Sequence, residues 1–113
     1  MPLYAVIGLD HEPHAMALRD SVRTEHRQYY LDNAIGVRLA GAFYQEQNQC
    51  GTLLIVEAGS EGEIRDWLAQ EPFCRAGVYR DLRILEWRQA FNSLEQSGWP
   101  DVSSALARGQ PQR

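Results

Sequence analysis

Pro72 ends whatever helix runs into it, because proline lacks an amide hydrogen and disfavours helical geometry in the residue before it. Further on, Gly77 permits a positive φ or a close backbone approach. The stretch Gln70-Glu71-Pro72-Phe73-Cys74-Arg75-Ala76-Gly77-Val78-Tyr79 thus couples a helix end, a fixed turn and the start of a strand. Glu71 is a carboxylate held at a chain reversal. Read as the end of the preceding helix, it sits where the backbone dipole is unfavourable to an anion. His26, Arg75 or a cation from a second chain would offset that.

Leu3 to Leu9 is a short apolar run with aromatic and β-branched residues, which predicts a strand covered on both faces. Asp10 to His14 reads as a polar loop punctuated by Pro13. The spacing from Ala15 to about Asn33 predicts the first helix. On it Ala15, Leu18, Val22, His26 and Tyr29 fall within an arc of about 80°. His26 stands at the edge of that stripe, flanked by Arg19 and Arg23. Gly36 suits a left-handed helix cap. Val37 to Tyr44 and Gly51 to Glu57 read as a strand hairpin joined by the polar residues 45–49. Gly41, in mid-strand, predicts a bulge or the close approach of a ligand or another backbone. Ser60 with Glu63 is a capping-box pattern opening a second helix whose apolar face is Ile64, Trp67 and Leu68. Val78 to Trp87 supplies the fourth strand.

The order β-α-β-β-α-β defines an α+β, ferredoxin-like chain. Two helices cover one face of a four-stranded sheet. Yet neighbouring residues in the first and third strands (Val6 and Ile7, Leu54 and Ile55) are apolar and point to opposite faces. A second copy of the chain is the economical cover, which predicts a homodimer. Residues 1–91 form the expected domain. Residues 92–113 are a C-terminal extension rich in Ser, Gln, Gly and Pro, with a short helix expected from Pro100 to a cap at Gly109 and with Trp99, Val102 and Leu106 as anchors.

A net charge of −4 argues against non-specific nucleic-acid binding, and no apolar run approaches membrane-spanning length. Met1 to Tyr4 shows no basic region before an apolar stretch, so a signal peptide is not expected. Cys50 and Cys74 make no disulfide framework, and the cytoplasm is the expected location.

Four pieces carry a family resemblance: Val22-Arg23-x-x-His26, Ala40-Gly41, Gly51-Thr52-Leu53-Leu54-Ile55, and Glu71-Pro72-Phe73-x-x-Ala76-Gly77-Val78-Tyr79. Their order and spacing resemble the YciI-like (YCII-related) family over about Leu3 to Trp87. The resemblance implies a dimeric α/β barrel, related in shape to muconolactone isomerases, with a His–Asp pair in a cleft. The family's His falls on His26 and its Asp on Glu71. The extra methylene of Glu71 requires the carboxylate to retract or tilt. The family often has Gly-Pro where this chain has Gly41-Ala42, and a longer connection between the second and third strands. Relatives include an enzyme that eliminates chloride from a chlorinated hydroxyquinol.

Imidazole titrates near neutrality, and an adjacent carboxylate fixes its tautomer, so His26 and Glu71 form the candidate acid/base pair. Arg23, Tyr30, Gly41 and Phe73 are the candidate substrate-binding residues. Arg19 and Arg23 are suited to an anion by bidentate bonding, or they form a solvated helix face paired with Glu12, Asp20 and Glu25. Cys74 reads as a structural thiol. His11, His14 and His26 match no metal-ligand spacing, so neither metal nor cofactor is expected. Two functions are consistent with these residues. One is a cofactor-free enzyme for proton transfer, isomerisation or elimination on a small aromatic or lactone-like molecule. The other is a non-catalytic dimeric module that binds a small ligand or a protein.

Overall fold

The computed structural model describes residues 1–12, 15–33 and 35–94. Pro13, His14, Ala34 and the helix expected from Pro100 to Gly109 lie outside the described residues. The elements follow the order β1 (Leu3–Asp10), α1 (Ala15–Asp32), β2 (Val37–Gln45), β3 (Asn48–Glu57), α2 (Glu61–Ala69), α3 (Pro72–Arg75) and β4 (Tyr79–Trp87). The sheet order is β2-β3-β1-β4 with every neighbouring pair antiparallel, the ferredoxin-like arrangement.

Alternation along the strands divides the apolar residues between two faces. Val6, Leu54, Val56 and Ile84 face the helices and pack with Ile64, Trp67 and Leu68 of α2. Phe73 and Val78 form a smaller buried cluster with Ala15 of α1. The opposite face carries a cross-strand row, Leu39–Ile55–Ala5–Leu85, each residue in register with the next. Leu39 and Leu85 remain exposed there.

The helix starts follow from local chemistry. The Ser60 hydroxyl accepts from the Glu63 amide, while the Glu63 carboxylate reaches the amide of Gly59 rather than that of Ser60. α1 breaks at Val22, with φ −128° and ψ 17°. Beside the break, the Ser21 hydroxyl donates to the Leu18 carbonyl at 2.7 Å, a bond that competes with the helix ladder.

Several expectations are corrected. β1 continues through Asp10, which is buried rather than part of a loop. Gly36 has φ +88° but follows the end of α1 by several residues; it serves the entry to β2, where its carbonyl accepts from the Glu57 amide at 2.9 Å. Gly41 is not a bulge: the register shifts fall between Val37 and Leu39 and between Phe43 and Tyr44. The polar connection is a tight turn whose central residues, Glu46 and Gln47, have φ of +52° and +68°. β3 therefore begins at Asn48 rather than Gly51.

That turn is of the mirror-image hairpin kind, which favours Asn-Gly and strains larger residues. Gln47→Gly is expected to stabilise the chain by about 0.5–1 kcal/mol, a rise of several degrees in the thermal midpoint. Thermal unfolding followed by circular dichroism checks it, and an unchanged midpoint would show that Gln47 carries no strain.

Candidate functional site

Glu71 is not the last residue of the preceding helix. α2 ends at Ala69 with Gln70 as its cap, and Glu71 is the N-cap of the one-turn helix α3, with Pro72 in the first turn. Its backbone is extended and its side chain curls over its own turn. Oε2 accepts from the Phe73 amide and Oε1 from the Cys74 amide, each at 3.2 Å. The carboxylate thus meets amide donors, not the carbonyl end of a helix.

Oε2 of Glu71 also bonds Nδ1 of His26. Both carboxylate oxygens act as acceptors, so the imidazole donates its Nδ1–H to Glu71. Both residues are buried, His26 at 8% exposure and Glu71 at 1%. The His26 ring stacks on Phe73, with centroids 3.7 Å apart and planes 4° from parallel. Tyr30 tilts against the same His26 ring, with centroids 4.5 Å apart. The turn that caps α3 therefore also places the ring that supports the imidazole.

A cleft of about 300 Å³ opens between α1, the β2–β3 side of the sheet and Phe73. His26, Arg23, Tyr30, Gly41 and Phe73 all line it, and Glu71 stands behind His26. Arg23 pairs with Asp20 at 2.8 Å on the exposed side of α1. Burial, followed by the charge of Glu71, raises the Tyr30 phenol well above its usual range and keeps it neutral.

Of the two alternatives for Arg19, the solvated helix face is corrected: the residue is 1% exposed. Its Nε and Nη2 donate to the two carboxylate oxygens of Asp10, both at 2.8 Å, and Nη2 also donates to Thr52 Oγ1 at 3.0 Å. The guanidinium lies 4.8 Å from the Phe73 ring centroid and 5.5 Å from that of Tyr79. Burial acts to lower its pKa, but the bonds to Asp10 and the influence of Tyr79 outweigh that, and the group is held above its ordinary value. The Tyr79 hydroxyl donates to Thr52 Oγ1 at 2.9 Å. Its ring crosses Gly8, where a Cβ would stand only 2.7 Å from it. The missed signal was parity: Asp10 shares the helix-facing side of β1 with Val6 and Gly8, a position no solvated loop residue needs.

A helix-covered antiparallel sheet with a buried histidine–carboxylate pair beside a cleft defines a class of small α+β proteins. The chain belongs to the YCII-related domain family, whose model matches residues 3–88. No curated protein matches it. Among solved structures it is similar to 5-chloro-2-hydroxyhydroquinone dehydrochlorinase from Burkholderia phenoliruptrix AC1100, in complex with 2,5-dihydroxybenzoquinone. The TM-score is 0.68 at 19% identity, covering 78% of this chain and 95% of that one. It is also similar to a putative antibiotic biosynthesis monooxygenase from Bacteriodes thetaiotaomicron, with TM-score 0.51, 13% identity, and coverage of 85% of this chain and 95% of that one. At these identities the likeness establishes the fold.

Burial, and then the charge of Glu71, push the Cys74 thiol from 9.0 up to about 12. The folded state holds this proton more tightly than the unfolded chain does. The resulting stability is complete below pH 9 and is lost as pH rises toward 12. Chemical denaturation across that window is expected to show falling stability in the wild type and a shallower fall in Cys74→Ala; equal slopes would remove Cys74 as the cause.

Proposed function

We propose that this protein is a small cofactor-free enzyme that moves a proton on an aromatic or lactone-like substrate, in an isomerisation or an elimination. One observation carries the reading: a buried imidazole on the wall of a cleft, bonded through Nδ1 to a carboxylate that two backbone amides anchor. In that arrangement Glu71 fixes the tautomer, and Nε2 of His26 takes the proton. Tyr30 and Phe73 supply the flat apolar walls such a substrate needs, and Arg23 and Gly41 border its place. The dehydrochlorinase of similar fold, named for a chlorinated hydroxyhydroquinone, fits the same class of ligand. A cytoplasmic setting belongs to this reading: both thiols are free, and among the described residues no helix is long and apolar enough to cross a membrane.

The assay is hydrogen–deuterium exchange at carbon, followed by proton NMR, on a panel of small aromatic enols and enol lactones that includes 2,5-dihydroxybenzoquinone. Exchange accelerated by the wild type is expected to drop about 100-fold in His26→Ala. Glu71→Gln is expected to slow it as well, with the 15N shifts of the imidazole reporting loss of the single Nδ1–H tautomer. A panel on which wild type and His26→Ala behave alike would sink the enzyme and leave the binding module.

The working unit in this reading is a homodimer. The Leu39–Ile55–Ala5–Leu85 row crosses the whole sheet without a charge, and a groove of about 480 Å³ beside it is walled by Leu3, Trp87, Phe91 and Leu94. A second copy offers the same flat apolar row about a two-fold axis. Sedimentation equilibrium is expected to give a dimer for the wild type and a monomer for Leu85→Glu. A monomeric wild type would overturn it.

A further inference from the structure

Among the described residues, three arginines and a histidine line the cleft (Arg19, Arg23, Arg27 and His26), and no aspartate or glutamate does. The chain as a whole is acidic, with a net charge of −4. Asp10 pairs with Arg19, Asp20 with Arg23 and Glu71 with His26, so these groups are fixed in place by carboxylates that stand outside the lining.

Arg19 is the deepest of these groups. Its bonds to Asp10 and Thr52 use Nε and Nη2. Nη1 makes none of them, and every fully buried side-chain nitrogen or oxygen among the described residues has a partner. Nη1 therefore reaches the cleft that Arg19 helps to line. Thr52 lines the same cleft and is similarly arranged. Its oxygen accepts from Arg19 and from Tyr79, which occupies both lone pairs and leaves its own O–H to donate. Asp10 holds the guanidinium by two parallel bonds, so the donor's direction is set before any ligand arrives.

We propose that Arg19 Nη1 and the Thr52 hydroxyl form an oxyanion-binding pair, and that the cleft's substrate is a small planar anion, a carboxylate, phenolate or enolate, whose charged oxygen they hold. The ring of that anion rests among Phe73, Tyr30 and His26. The proposal rests on the proton-transfer reading for its chemistry. When the C–H bond α to the carbonyl of the keto tautomer breaks, the proton goes to Nε2 of His26 and the bonding electron pair delocalises onto that carbonyl oxygen, which becomes the phenolate or enolate oxygen facing Arg19 and Thr52. Arg19 and Thr52 touch the substrate in this scheme; Asp10 is a positioning residue acting through Arg19.

The test compares benzoate with benzamide, two probes of one shape and different charge, by calorimetric titration of the full chain. The wild type is expected to bind benzoate roughly tenfold or more tightly than benzamide. Arg19→Lys keeps a cation against Asp10 but loses the fork. It is expected to shrink the preference to about twofold while benzamide binding and cooperative unfolding persist. Thr52→Val is expected to weaken benzoate alone, with Thr52→Ser restoring it, which carries the test if Arg19→Lys does not fold. The exchange assay reads the proton-transfer reading separately, so its failure is distinguishable from a loss of the benzoate preference. Equal binding of the two probes by the wild type overturns the proposal. So does a preference that survives both Arg19→Lys and Thr52→Val, or an equal loss of both probes in the folded Arg19 variant, which would assign Arg19 to packing alone.

Discussion

The Arg19–Asp10 ion pair is the constraint around which the rest is arranged. Two charges removed from water cost several kcal/mol each unless geometry and further hydrogen bonds compensate them. Here the compensation is drawn from the whole fold. β1 brings Asp10, α1 brings Arg19, β3 brings Thr52, α3 brings the Phe73 ring and β4 brings Tyr79. A chain that failed to close any one of these elements would leave part of the network unsatisfied. The pair therefore ties α1 to β1, with Phe73 of α3 and Tyr79 of β4 set against its guanidinium.

The second network, His26–Glu71, is built by different means. Its carboxylate is anchored by main-chain amides, so its position follows from backbone geometry around Pro72 more than from side-chain packing. Phe73 joins the two networks: one ring contacts the imidazole by stacking and the guanidinium by its π-electrons. The sheet-facing side of α1, usually apolar, carries the buried polar residues Arg19 and His26.

The strand order, both long helices and the apolar second face were legible in the chain, because periods of two and 3.6 write burial directly into apolar residues. The pairing of His26 with Glu71 was legible through the resemblance in order and spacing. Arg19 and Asp10 were not. A hydrophobicity pattern assigns every charge to solvent, and it registers a buried charge only when its partner is known, here nine residues away across a loop. The role of Glu71 was misread for a related reason. Pro72 signals the end of one helix and equally the first turn of another, and only the chain path chooses between them. The tight turn at Glu46 and Gln47 escaped notice because neither residue advertises a positive φ.

The N-cap at Glu71 has an evolutionary consequence. The same carboxylate satisfies two amides of α3 and holds the imidazole. Selection on the turn alone is enough to retain an acidic residue there, even in a lineage that has abandoned chemistry. Persistence of that acid through descent is thus weak testimony to activity. His26 is held by Glu71 and by the rings of Phe73 and Tyr30, so its replacement in a descendant that keeps Glu71 would dissolve the pair and leave the turn standing.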